Sequence, residues 1–535
     1  MSLADDRAAL RERWYADGWY GTESIAQHLQ LGVERHPATT MRFVGGPAPT
    51  TIRLDEMYAR SRRLAAGLAS IGVGPGEKVA VWVPNWVEGA LAYQAALSLG
   101  AVVVPIIHIY GPREVGFILR QSGARVLVMP DRWRTIDYLE RFAAIGDLPA
   151  LHHVVSIGDG PQGSIPWERL AGAEPLADLP GAGPDDPCLL IYTSGTTADP
   201  KGVQHSANTL VAEIRTNDAV FGQRGGTTLA AFPAGHIAGV LGTMRMFLLG
   251  ASSVLMDQWD PALAARLVAE HGITSTAGAP FFLATLLDQA EAQGTSLATL
   301  RNYMVGAASV PPALVERADA IGIPVYRAYG SSEHPVITSG TPADPAATRA
   351  ATDGRLMPGS EIRLLDDDDR EVPVGAAGEI VSRGPELMLG YTDPALDAES
   401  HLPGGWFRTG DIGRLDAEGY LTITDRKKDI IIRGGENIAS KEVEDILATH
   451  PAVAEAAAVG QPDQRYGERV AVFVQLRPGA ELDLDDVRRH FAAAGAARQK
   501  TPELVVPVTE LPRSMSGKVR KVDLRERLRD SPPER

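Results

Sequence analysis

The sequence predicts an α/β fold. It comprises a large N-terminal domain of mainly parallel sheets flanked by helices, a small β-rich subdomain, and a small α+β C-terminal domain. Three observations carry this prediction. Apolar strands alternate with amphipathic helices in a βαβαβ rhythm. The texture changes after Gly354, where short alternating strands are split by Gly and Asp turns. A fresh α+β pattern then begins after Asp425-Arg426-Lys427-Lys428-Asp429.

The elements follow in order. Lys78 to Val83 is an apolar run short enough for a buried strand, Glu88 to Ser98 reads as a helix, and Ala101 to Ile107 as a second strand. Arg113 to Ser122 is a helix and Arg125 to Met129 a third strand. The rhythm returns around Thr228 to Phe232, Ser252 to Met256 and Thr274 to Ala277. The β-rich subdomain is read from Glu361 to Leu365, Gly378 to Ser382 and Tyr420 to Thr424. The last unit has a helix at Ser440 to Thr449, strands at Val453 to Val459 and Arg469 to Leu476, and a helix at Leu484 to Ala494. The charged joint is the best boundary, giving domains 1–427 and 428–535.

Bulk properties exclude several classes. At 535 residues, the chain is too long for one ordinary core. A net charge of −15 argues against nucleic acid as the main partner, while leaving room for a local basic site that takes a small anion. The single cysteine, Cys188, permits no internal disulfide or thiolate metal cluster, and its apolar setting suits a packed thiol. The N-terminus lacks the apolar segment of a signal peptide, and no apolar stretch is long enough to span a bilayer. A cytoplasmic protein is expected.

The most informative stretch is Thr193 to Gly202, which reads TSGTTADPKG. It follows the apolar run Cys188 to Tyr192, which reads as a buried strand. Such a loop offers backbone N–H groups, the hydroxyls of Thr193, Ser194, Thr196 and Thr197, the freedom of Gly195, and the Lys201 ammonium. Together these suit a polyphosphate. It is not a Walker A loop, because Pro200 stands at the second glycine's place and Gly202 follows the lysine. The plainer alternative, and the less favoured one, is a polar surface turn.

Seven segments, in order and together covering about Glu23 to Lys521, resemble the adenylate-forming superfamily of acyl-CoA synthetases, luciferases and adenylation domains. The chain is most similar to its bacterial fatty-acid and alicyclic-acid CoA ligases. The resemblance implies a mobile C-terminal domain that turns about Lys428. It assigns Thr193 to Lys201 to the ATP phosphates, with Ala198 standing where the family usually has glycine. If that position needs a positive φ, alanine there costs roughly 1 kcal/mol. In Tyr329-Gly330-Ser331-Ser332-Glu333, Tyr329 would stack on adenine, Ser332 would reach the α-phosphate, and Glu333 would hold Mg²⁺. Gly306-Ala307-Ala308 would wall the adenine, and Asp411, in Trp406 to Asp411, would accept the ribose hydroxyls with help from Arg426. Lys518, in Pro512 to Lys518, would bridge the substrate carboxylate and the α-phosphate.

The implied reaction has two halves. A carboxylate attacks the α-phosphate of ATP, giving acyl-AMP and pyrophosphate. The C-terminal domain then rotates, Gly434 and Gly435 make room for a pantetheine arm, and the coenzyme A thiolate displaces AMP. His236 sits where the family gates the acyl or pantetheine channel. The residues around it, Gly235, Ala238 and Gly239, are small and uncharged, which favours a hydrophobic acid. The resemblance also implies a homodimer, and a lysine acetyltransferase acting on Lys518. Two alternatives stay open. Trp14-Tyr15 and Gly18-Trp19-Tyr20 resemble aryl-acid enzymes that load a carrier protein. A non-catalytic nucleotide-binding homologue is the other, against which Lys518, Glu333, Asp411 and Arg426 weigh.

Overall fold

The computed structural model describes residues 2–46, 48–193, 200–222, 226–306, 310–433, 436–463, 466–494, 496–514 and 517–530. Two large sheets carry the two βαβ rhythms separately. In the first, Lys78–Val81 lies between Val102–Pro105 and Val126–Pro130, all parallel. Pro187–Thr193 extends it in parallel beyond Val102–Pro105, and Lys201–Ser206 then Gly390–Tyr391 close that edge antiparallel. In the second, Thr40–Phe43, Ser252–Leu255, Thr227–Ala230, Ser275–Gly278, Asn302–Val305 and Val325–Tyr329 run parallel in that spatial order. Helices cover both, as parallel strands require. Ile237–Leu249 is apolar enough to belong to the main core, with Val240, Leu241 and Phe247 buried in it.

Two expected strands are shorter than read. The run from Ala101 to Ile107 gives only Val102–Pro105, because Pro105 has no N–H to continue the ladder. Lys78 to Val83 stops at Val81, ahead of Pro84. The β-rich region is one antiparallel sheet of Glu361–Leu365, Ala377–Arg383, His401–Leu402, Trp406–Leu415 and Leu421–Arg426. The long strand Trp406–Leu415 was not anticipated.

The last unit has its own sheet, with Gly467–Leu476 between Ile431–Arg433 and Val453–Asp463, and Leu504–Val508 parallel to it. Val453–Asp463 runs past the expected Val459 because its ladder with Gly467–Leu476 continues to Asp463 and Gly467. Val443, Leu447, Val472 and Phe491 pack one face of this sheet, and Phe473, Leu511 and Leu524 the other. Its first helix, Ser440–Ala448, has Ala439 at the N-cap and no cap of its own. Asp425, from the preceding sheet, fills that role, accepting from the Ser440 N–H at 2.5 Å and its hydroxyl at 3.0 Å. Among the described residues, no helix is long and apolar enough to cross a membrane.

Candidate active site

The two strands that flank the expected phosphate loop pair antiparallel. Thr193 and Lys201 are opposite one another in the antiparallel pair that Pro187–Thr193 makes with Lys201–Ser206. Both side chains are half-buried. Ser194, Gly195, Thr196, Thr197 and Ala198 lie outside the described residues, as do Ala307, Ala308, Gly434 and Gly435. Gly306 directly follows strand Asn302–Val305, and a Cβ there would lie 2.8 Å from the Ala328 carbonyl oxygen.

Tyr329 ends strand Val325–Tyr329, and a tight turn follows. Gly330 is required in it, since a Cβ would fall 2.0 Å from the Pro335 carbonyl oxygen. Ser331 Oγ accepts from the Glu333 and His334 N–H groups at 3.2 and 3.3 Å. His205, buried and held near pKa 4 by desolvation, donates through Nε2 to the Ser332 carbonyl at 2.8 Å. The turn therefore presents Ser332 from a fixed backbone. Glu333 is buried, and the Tyr391 hydroxyl donates to its Oε1 at 2.7 Å.

Asp411 joins the strand-end residues to the joint. Its Oδ2 accepts from the Tyr329 hydroxyl at 2.9 Å, and its Oδ1 lies 3.2 Å from Arg426 Nε. A carboxylate offers about four lone-pair sites, so acceptor capacity remains for a ligand's hydroxyls. Burial, and then the Asp411 charge, hold the Tyr329 phenol well above its ordinary pKa, so it stays a neutral donor.

Lys518 reaches this group from the C-terminal unit. Gly517, at φ +81°, lies against Ala279 at the start of helix Pro280–Gln293, where an added Cβ would stand 3.0 Å from the Ala279 Cβ. The loop is closed by Ser514 N–H to the Lys518 carbonyl at 2.7 Å and Gly517 N–H to the Ser514 carbonyl at 2.9 Å. Burial, then the Arg426 charge, lower the Lys518 pKa to about 8, while Asp411 and Glu333 pull the other way. The Lys518 amine thus lies within the influence of Arg426 and Asp411, which meet Tyr329, and of the buried Glu333 carboxylate. Lys428 is exposed, two residues past the end of strand Leu421–Arg426.

His236 precedes helix Ile237–Leu249. Burial and then Lys518 lower its pKa to about 4, so the ring is neutral near pH 7. Its buried Nδ1 has no hydrogen-bond partner among the described residues. The backbone before it is clamped. Asn85 donates to the Phe232 and Met256 carbonyls at 2.9 and 2.8 Å and accepts from the Ala234 N–H at 2.7 Å. Tyr93 donates to the Ala234 carbonyl at 2.9 Å. Beside this loop a small recess is lined by Asn85, Phe232, Ala234, Gly239, Gly242 and Leu255. Asn85, Tyr93 and Tyr391 were not singled out from the sequence. The Tyr391 signal was a Gly-Tyr pair just ahead of the Asp-Pro helix start at Asp393.

The folding pattern is matched by known proteins. The AMP-binding enzyme family model matches residues 31–392, and the AMP-binding enzyme C-terminal domain model matches 442–518. The chain belongs to the AMP-binding enzymes. Among curated AMP-binding enzymes, it is 33% identical to the medium-chain fatty-acid–CoA ligase of Escherichia coli over 97% of this chain and 92% of that one. It is 36% identical to the sulfoacetate–CoA ligase of Cupriavidus necator over 86% and 89% of the two chains. A solved anthranilate CoA ligase in complex with anthranoyl-AMP superposes with a TM-score of 0.85 at 25% identity, covering 95% of this chain and 97% of that one. As an AMP-binding enzyme of this kind, the chain is an AMP-forming acid–thiol ligase that works through an acyl-adenylate.

Proposed function

We propose that this ligase activates a hydrophobic carboxylic acid with Mg·ATP and passes the acyl group to coenzyme A. The observation that supports the choice of acid is the character of the residues that line the small recess next to the loop before His236. Its lining side chains are apolar apart from Asn85, whose amide is already engaged with backbone, and Ser253. A charged tail would meet no partner there and would carry a large desolvation penalty. Glycines 239 and 242 keep one wall low, and a Cβ at Gly242 would touch nothing within 4 Å.

Glu333 suits magnesium as a single hard oxygen donor. Among the described residues, no cluster of three or more His, Cys, Asp or Glu could hold a metal. That fits an ion bound through one carboxylate, waters and substrate phosphates. When bound, magnesium would neutralise phosphate charge. The chain's own groups do the rest. Asp411, Tyr329 and Arg426 orient the nucleoside, and Lys201 meets the outer phosphates. Lys518 neutralises the carboxylate and α-phosphate as the phosphoryl–oxygen bond forms and pyrophosphate leaves. Neutral His236 shields the acyl carbon from water until the thiolate displaces AMP.

The test is pyrophosphate release with a panel of carboxylic acids: medium and long fatty acids, alicyclic and aryl acids, and small polar acids such as sulfoacetate. Apolar acids should give the highest kcat/KM, and coenzyme A should be the acceptor in preference to a phosphopantetheinyl carrier protein. A small polar acid as the best substrate would overturn the reading.

A further inference from the structure

We propose that Tyr391 is a positioning residue that ties the Glu333 carboxylate to the exit strand of the phosphate loop, so that metal and phosphates are held by one rigid unit. This rests on the reading of Glu333 as the magnesium ligand.

Tyr391 touches both halves of the phosphate-and-metal site. Its hydroxyl donates to Glu333 Oε1 at 2.7 Å, and both residues are buried. Its ring lies 5.4 Å from Lys201 Nζ, a cation–π distance. Its backbone pairs opposite Val203, two residues beyond Lys201, while the Leu389 N–H donates to the Gln204 carbonyl at 2.8 Å. On the other side, the Met388 N–H donates to the Glu333 carbonyl at 2.8 Å. The segment 388–391 thus bridges the loop strand and the metal carboxylate through both backbone and side chain.

This bridge is itself anchored. The Tyr391 N–H donates to Asp397 Oδ1 at 3.0 Å, and Asp397 is gripped by the Arg7 guanidinium at 2.5 and 2.9 Å. Gly390, at φ +144°, admits the approach, since a Cβ would lie 2.8 Å from Asp397 Oδ1 and 2.9 Å from Arg7 Nη2. A glutamate's terminal torsion is soft, so an unanchored carboxylate would swing about its axis. Fixing Oε1 with a phenol sets where Oε2 points. A hydrogen-bonding partner behind a ligand is the ordinary way a protein sets metal affinity.

The experiment measures metal directly. Mn²⁺ is titrated into enzyme saturated with α,β-methylene-ATP, whose α–β bridge cannot be cleaved to adenylate an acid, and free Mn²⁺ is read by electron paramagnetic resonance. Tyr391→Phe keeps the ring beneath Lys201 and removes only the hydroxyl. It should weaken Mn²⁺ binding by about 10- to 100-fold, while thioester formation from supplied acyl-adenylate stays at the wild-type rate. Glu333→Gln is the reference. If Glu333→Gln weakens Mn²⁺ binding and Tyr391→Phe binds as wild type, the positioning role is overturned and the metal reading stands. If Glu333→Gln binds Mn²⁺ as wild type, both fall. If Tyr391→Phe slows the thioester step as much as it weakens metal, its role is structural and the proposal is overturned.

Discussion

On the proposed reading, Lys518 concentrates the chemistry of the first half-reaction in one charge. Only the ammonium form neutralises the reacting carboxylate and phosphate, and burial next to Arg426 brings its pKa down from 10.5 to about 8. The charged form therefore dominates below that value and is lost as pH rises through it. We predict that kcat/KM for adenylation, followed by pyrophosphate release, declines above about pH 8, because kcat/KM reports the free enzyme's groups. Lys518→Arg should move that limb beyond the measurable alkaline range at a lower plateau, since a planar fork does not replace a point charge. Lys518→Ala should lose about 10²–10³-fold in adenylation while still converting supplied acyl-adenylate to the thioester. Equal loss in both half-reactions would remove Lys518 from its assigned role. At this scale the sequence singled out Lys518, Asp411 and Glu333 through the family motifs that carry them. It was silent on their partners. Tyr391 lies 58 residues from Glu333, and Asn85 lies 149 from Ala234, so neither pairing leaves a mark in the local pattern.

The elements proposed to shape the acyl site are a clamped loop and the first turns of the helix Ile237–Leu249. The β-strands around them were readable from apolar runs, and their ends were misjudged where proline stops a ladder. The strand pair that flanks the expected phosphate loop was half-read: the strand into the loop is an unbroken apolar run, but the strand out, Lys201–Ser206, carries Lys, Gln, His and Ser and has no apolar period. On the helix, glycines mark where the recess meets backbone, and they are not equivalent. A Cβ at Gly239 would lie 2.2 Å from the Pro233 carbonyl oxygen, so any substitution there moves the loop. At Gly242 it meets open space, so a side chain can be added without displacing backbone. Gly242→Leu should therefore lower kcat/KM for long acids by about 10-fold or more relative to short ones, in line with pocket discrimination of a few methylenes. The check is the chain-length profile of pyrophosphate release. An unchanged profile would place the acyl tail elsewhere.

For the whole molecule, two bodies with separate cores meet at a charged joint. The C-terminal sheet packs its own residues, and its lysine loop rests against Ala279 of the large unit. Asp425 caps helix Ser440–Ala448 across the joint. These contacts define one orientation, the one in which Lys518 faces Glu333 and Asp411. We propose that thioester formation needs another, reached by turning about Lys428. The sequence places the joint where a fresh α+β pattern begins after Asp425 to Asp429, and it leaves no mark of the contacts across the joint, because they link residues on either side of it. The measurement that tests this most directly is single-turnover kinetics of Lys428→Pro, with Lys428→Ala beside it. Proline fixes φ near −65° and removes an N–H, while alanine removes only the charge. The proline variant should form acyl-adenylate and pyrophosphate at near wild-type rate and transfer the acyl group to coenzyme A at least about tenfold more slowly, with the alanine variant close to wild type in both steps. Full-speed ligation by Lys428→Pro, or equal loss of adenylation in both variants, would contradict the account.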